Sequence, residues 1–244
     1  VEAMMPYFTQ TYGNAASRNH SYGWAAKEAV EIAREQVADL IGGNAKEIVI
    51  TSGATESNNL AIKGIAKFYE SKGKHIITCA TEHKAILDSC HALEEEGWDV
   101  TYLNVGHDGL IDLNELDAAF RDDTVLVSIM LANNETGVIQ PVADVAALAA
   151  DNDALFHCDA VQAAGKLEID FKALGCHMMS LSAHKIGGPA GVGALIVAPG
   201  HKATAAIRGG GQERSRRGGT ENLAGIAGFG AAAEAAIRAF DGAR

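Results

Sequence analysis

Several short polar stretches stand directly after apolar, β-branched runs. Their side chains could handle an anion, a cation or a carbonyl. Ser52-Gly53-Ala54-Thr55-Glu56-Ser57 follows the run IVIT. A glycine turn that opens a helix presents free N–H groups and the positive end of the helix dipole, so with the Thr55 hydroxyl this stretch suits a phosphate. No Gly-Lys-Ser/Thr follows, which rules out a Walker loop; an N-cap made by Ser52 or Thr55 is the other reading. Asp159 ends a second run. A carboxylate there can hold a protonated ring nitrogen by a charge-assisted hydrogen bond, or simply close a turn. Lys185 comes just after a third run, in Ser182-Ala183-His184-Lys185. Most lysines lie on the surface, but one at a strand end sits in a cleft, where desolvation or a cationic neighbour can make its amine nucleophilic. His83, after a further run, could stack on a planar ring or be structural. Asn133-Asn134-Glu135-Thr136-Gly137 could point into a cleft or form an Asx-turn.

Other chemistries fit less well. Ser180 and Ser182 lack the nucleophile-elbow pattern of serine hydrolases. The chain has 9 histidines and 4 cysteines but no HExxH and no CxxC. Cys176-His177 and His157-Cys158-Asp159 are sequence neighbours, whose side chains alternate between the faces of a strand, so no metal site is expected. A formal net charge of −11 opposes binding to nucleic acid or an anionic membrane by the molecule as a whole. The cysteines Cys79, Cys90, Cys158 and Cys176 are widely spaced and read as reduced thiols. Neither a signal peptide nor an apolar run long enough to cross a bilayer is read from the sequence, so a cytoplasmic location is expected.

The elements that would position these residues alternate. Apolar spacings of three and four predict helices over 23–41, 53–70, 83–96, 113–120, 142–150 and 222–240. Between them lie candidate strands at 47–51, 75–78, 99–103, 124–131, 154–158, 177–182 and 192–198. The run TVLVSIML is almost continuously apolar, as expected of a strand covered on both faces. This alternation predicts an α/β domain with a mostly parallel, seven-stranded sheet and helices on both faces. Ligands of such sheets bind at the carboxyl ends of the strands, where the polar stretches fall. The cysteines are expected to point elsewhere. Cys158 should face away from Asp159, Cys90 lies within a helix, and Cys176 begins its strand; Cys79 alone could approach the cleft edge.

Taken together, TSGATESNNLAIKG (51–64), TEHKAILDSC (81–90), VSIMLANNETGVIQP (127–141), HCDAVQAAGKLEID (157–170), SLSAHKIGGPAGVGAL (180–195) and RGGGQERSRRGGTEN (208–222) resemble the cysteine desulfurases of the class V aminotransferase group. The motifs cover most of the chain and occur in the family's order. The resemblance implies the large domain of the fold-type I pyridoxal-phosphate (PLP) transferases, with one antiparallel strand among parallel ones. It implies that Lys185 is the Schiff-base lysine and that Asp159 pairs with the pyridinium nitrogen. Gln162 would bond the ring hydroxyl, and His83 would stack on the ring and move protons. Ala54, Thr55, Ser182 and His184 would hold the phosphate, and Asn134 would lie beside the substrate or ring. Thr220 would be lent to the phosphate by the partner subunit of a homodimer. The implied reaction converts L-cysteine to L-alanine and passes sulfur, as an enzyme persulfide, to an acceptor or iron–sulfur scaffold protein.

On this reading residues 1–22 form an N-terminal segment and 23–244 the PLP-binding large domain. The family's small C-terminal domain, with its persulfide-forming cysteine and carboxylate-binding arginine, has no counterpart in the sequence. The expectation is therefore a truncated form without turnover of its own. The alternatives are another class V enzyme, such as a selenocysteine lyase or an aminotransferase, and a non-catalytic PLP-binding fragment.

Overall fold

The computed structural model describes residues 1–17 and 19–242. Seven strands form one sheet: β1 (Ile48–Thr51), β2 (His75–Cys79), β3 (Asp99–Leu103), β4 (Thr124–Ser128), β5 (Leu155–Asp159), β6 (Met178–Ser182) and β7 (Gly193–Val197). Their spatial order is β1-β7-β6-β5-β4-β2-β3. Only β7 runs against its neighbours, pairing antiparallel with both β1 and β6. The helices are α1 (Met5–Thr9), α2 (Ser21–Leu40), α3 (Ala54–Tyr69), α4 (Lys84–Glu95), α5 (Leu113–Ala119), α6 (Val142–Asp151) and α7 (Leu223–Gly242). The expected α/β architecture is therefore present, including its single antiparallel strand.

Side-chain alternation along the strands feeds two cores, one on each face of the sheet. Ile48, Ile50, Phe156, Cys158, Met179, Leu181, Ala194 and Ile196 pack with α2, α6 and α7. Val49, Ile76, Leu126, Met178, Leu195 and Val197 pack with α3 and α4. Asp159, one residue beyond Cys158, thus projects to the α3 side, where Asn58 of that helix meets it.

Two expectations need correction. Strand β4 ends at Ser128 rather than Leu131. Beyond it the chain still bonds to β5, through Ile129 N–H to His157 O and Leu131 N–H to Asp159 O, but the regular ladder has stopped. The backbone there is turning to deliver Met130 and Asn134 to the cleft. The expected lack of any bilayer-length apolar stretch also fails for 223–240 of α7, which is long and apolar enough by length and composition. Its packing explains the composition. Alanines and glycines let it lie close against α2, and a methyl added at Gly230 would come 2.7 Å from the Ala33 Cα. More than half of that stretch is buried within the fold.

Edge strand β1 is closed by an ion pair instead of another strand. Arg34, on α2, donates from Nη1 to Ile48 O (2.9 Å) and to Glu213 Oε2 (2.7 Å), and from Nη2 to Glu213 Oε1 (2.9 Å). Glu213 Oε2 also accepts the Ile50 N–H at 2.8 Å. The pair thus supplies the donor and acceptor that a neighbouring strand would have offered. It also anchors the glycine-rich loop after β7 to the sheet.

Candidate active site

A cleft of about 620 Å³ opens at the carboxyl ends of the parallel strands. At one end lies the start of α3. Its N-cap is Gly53, at φ 145°, and no side chain caps the helix. A cap by Ser52 or Thr55, the alternative reading, is therefore not made, which leaves the first N–H groups to face the cleft beside Thr55. Gly53 and Gly193 touch here, and a Cβ on Gly193 would come 2.7 Å from the Gly53 Cα. Ser182 Oγ and His184 Nδ1, at 2.8 Å from each other, bring further polar groups to the same cleft.

Glu56, in the first turn of α3, accepts from Arg217 Nε (2.8 Å) and from the Ser52 N–H (2.8 Å). Partial burial acts to raise its pKa, but the hydrogen bonds from Arg217 and Ser52 outweigh it and hold the carboxyl below its usual range. The arginine offsets an anion that would otherwise repel a phosphate.

Asp159 stands on the cleft wall, 6% exposed. Its Oδ1 accepts the Val161 N–H at 2.9 Å and its Oδ2 accepts from Asn58 Nδ2 at 2.7 Å. Burial pushes its pKa up, opposed by these two bonds and by His83. The turn and cleft readings of Asp159 therefore hold together.

The asparagine pair divides the same way. Asn133 makes the Asx-turn, accepting from the Glu135 and Thr136 N–H groups, while Asn134 lines the cleft. Lys185 enters the cleft from a 3₁₀ turn, Ala183–Ile186, that ends in left-handed Gly187 (φ 80°). Gln162 is also there, its Oε1 accepting from Lys166 at 3.1 Å, so its amide NH₂ is the donor left for a ligand. His83 is the N-cap of α4 and its Nδ1 accepts the Ala85 N–H at 3.1 Å, which puts the neutral ring's proton on Nε2.

The cleft thus gathers Ala54, Thr55, His83, Asn134, Asp159, Gln162, Ser182, His184 and Lys185. It does not gather Thr220, which lines a separate depression of about 140 Å³ shared with Ser52 and Gly191. Sequence reasoning missed Asn58, the Glu56–Arg217 pair and Glu82. Asn58 carried a signal, since it lies one helical turn beyond Ala54 on the helix that opens at the cleft.

The four cysteines are buried. Cys79, the one expected to approach the cleft, is 1% exposed and its Sγ lies 3.1 Å from Thr81 Oγ1.

Residues 1–241 match the family model described as aminotransferase class-V. The chain belongs to that family. Members work with pyridoxal phosphate. Among relatives, the cysteine desulfurase IscS of Anaeromyxobacter sp. (strain Fw109-5) is 58% identical over 238 residues, covering 97% of this chain and 59% of the relative. Among solved structures, a NifS-like protein superposes with a TM-score of 0.96 at 41% identity, covering 99% of this chain and 67% of that one. A structure described as SspA in complex with cysteine gives 0.92 at 43%, covering 96% and 67%. The chain spans about 59% of the length of the curated relatives it matches.

The cleft suits the family's cofactor. An uncapped helix start and hydroxyl donors suit its phosphate, a buried carboxylate suits its ring nitrogen, and a lysine amine suits its aldehyde.

Proposed function

We propose that the protein is a PLP-dependent cysteine desulfurase, converting L-cysteine to L-alanine and passing the sulfur to an acceptor thiol. The observation that carries this reading is the joining, in one cleft, of Lys185, Asp159 and the open N-terminus of α3 in a chain 58% identical to a cysteine desulfurase. The solved relative with cysteine bound supports the choice of substrate. Bound in the cleft, pyridoxal phosphate supplies an aldehyde for the amino acid and a ring that takes up the electron pair released at its Cα.

The chain's own residues then have distinct tasks. Ala54, Thr55, Ser182 and His184 hold the phosphate. Asp159, fixed by Asn58 and Val161, keeps the ring nitrogen protonated. Gln162 bonds the ring hydroxyl. With the cofactor bound, Lys185 would offer its amine to the aldehyde and would yield that place to the amino group of the substrate. His83 would lie against the ring and move a proton through Nε2, its Nδ1 being held by Ala85. Asn134 lies beside the substrate.

The same reading places the protein in the cytoplasm as a homodimer, with Thr220 reaching the partner's phosphate and a sulfur-acceptor or iron–sulfur scaffold protein receiving the sulfur. Borohydride reduction of the PLP-loaded chain, followed by peptide mass mapping, tests the core of the proposal. The adduct is expected on Lys185, and an adduct on Lys63 or Lys166 would overturn it. L-cysteine is then expected to perturb the cofactor absorbance at lower concentration than L-serine does.

A further inference from the structure

Glu82 has no task in the mechanism above, yet it is 5% exposed and directly precedes His83, which lines the cleft. Its Oε1 accepts the Met130 N–H at 2.7 Å, while its Oε2 is buried with no hydrogen-bond partner. Asp159, close enough to repel it, accepts two hydrogen bonds. An ionised oxygen with no donor in a buried site is far costlier than a carboxylic O–H in the same place. Two neighbouring carboxyls that cannot both ionise divide the charge according to their donors.

We infer that Glu82 is a positioning residue held as an un-ionised carboxylic acid, which leaves Asp159 the single anion of the pair and ties the His83 turn to the chain beyond β4. The value of that arrangement rests on the proposed role of Asp159 toward a ring nitrogen. A second buried anion would blur the placement of the cation that Asp159 is meant to hold.

The titratable groups around Glu82 agree. Those that feel its charge are Asp159 beside it and, more remotely, the thiols of Cys79 on β2, Cys90 on α4 and Cys158 on the other face of β5, with His83 next in the chain. Burial raises all three thiols, Cys90 to about 12, so they are neutral, and in Cys158 the hydrogen bond to Cys176 is the larger cause. Among the described residues no lysine or arginine acts on Glu82. Burial first, then Asp159, pushes its pKa well above the ordinary 4.5, against the single Met130 bond. The turn is stitched a second time by Asn133, whose Nδ2 donates to Thr81 O at 2.9 Å.

The test uses this chain without cofactor, so its outcome is independent of the borohydride result. Infrared spectra at pH 7, with ¹³C placed in glutamate or in aspartate, are expected to contain one protonated-carboxyl band that moves only with the glutamate label. The band should vanish in Glu82→Gln and persist in Asp159→Asn. No protonated band, or one that follows the aspartate label, would overturn the inference without any variant having to fold.

Urea unfolding gives a second readout. A glutamate whose pKa is raised on folding stabilises fully below its unfolded value, and that stability is lost as pH rises through the folded value. Wild type should therefore lose up to about tenfold in its folding constant per pH unit above 4.5, relative to Glu82→Gln. Parallel pH dependences in the two chains would mean that Glu82 does not hold the proton. The contribution of His157 is common to both chains and cancels.

Discussion

Replacing Arg34 with methionine tests whether the edge of the sheet is closed by charge. Both side chains of the Arg34–Glu213 pair are almost inaccessible, 5% and 2% exposed. Methionine fills similar space but removes the cation, two donors to Glu213 and the donor to Ile48 O. Glu213 would keep only the Ile50 N–H. Breaking a buried pair from one side costs about 3–5 kcal/mol, against about 0–1 for an exposed pair. With a urea m-value of about 3 kcal/mol/M for a domain of this size, the midpoint should fall by about 1–1.7 M. Arg34→Lys should recover only part of the loss, because an ammonium cannot span Ile48 O and both carboxylate oxygens. The double variant Arg34→Met/Glu213→Leu should lose less than the sum of the single losses, since it strands no charge. Amide exchange separates the two halves of the device. The Ile50 N–H should lose protection in Glu213→Ala but keep it in Arg34→Met. A loss below about 1 kcal/mol for Arg34→Met, or strict additivity in the cycle, would refute this account of the edge.

Three further outcomes follow from the same coordinates. All four thiols should resist iodoacetamide in the folded chain and react in urea. Cys90, pushed up to about 12, should be slower than a free thiol by about 10³-fold or more at neutral pH, and one rapidly labelled cysteine would mean that the burial is wrong. His157 is fully buried between Ser128 Oγ and Ser180 Oγ, both at 2.9 Å, and burial drives its pKa down to about 3. Because that value is lowered on folding, stability should fall as pH drops from about 6.5 toward 3, and ¹⁵N imidazole signals should stay neutral at pH 5. Sedimentation of the chain should give a dimer if Thr220 serves a neighbouring cleft, since Thr220 does not line its own; a tight PLP-binding monomer would remove that role.

What could be read from the sequence followed from periodicity and from the strand-end rule. The runs HIITC and TVLVS have few ways to bury both faces except as inner strands, and a glycine turn marks where the edge run IVIT stops. Lys185, Asp159 and His83 could be assigned to the cleft because a parallel sheet delivers its strand ends to one side. The cap of α3 could not be read that way. Ser52 and Thr55 are good capping residues by type, and only the fold shows that neither turns its side chain back onto the helix.

The loop around Glu213 was less legible still, for a physical reason. Glu213, Arg214 and Ser215 take φ values of 46°, 56° and 63°, the left-handed region that ordinarily calls for glycine. Three such non-glycine residues in a row are unfavourable by local preference. The conformation is held from a distance, by Glu213 on Arg34 and Ile50 and by Arg214 Nη1 on Lys46 O at 2.7 Å. Those partners lie more than 160 residues away in sequence. Glu82 escaped notice for the same reason. Its neighbour His83 announces itself by type, whereas the meaning of a glutamate depends on whether water or protein surrounds it. Only the packing of α4 and β5 over the turn decides that.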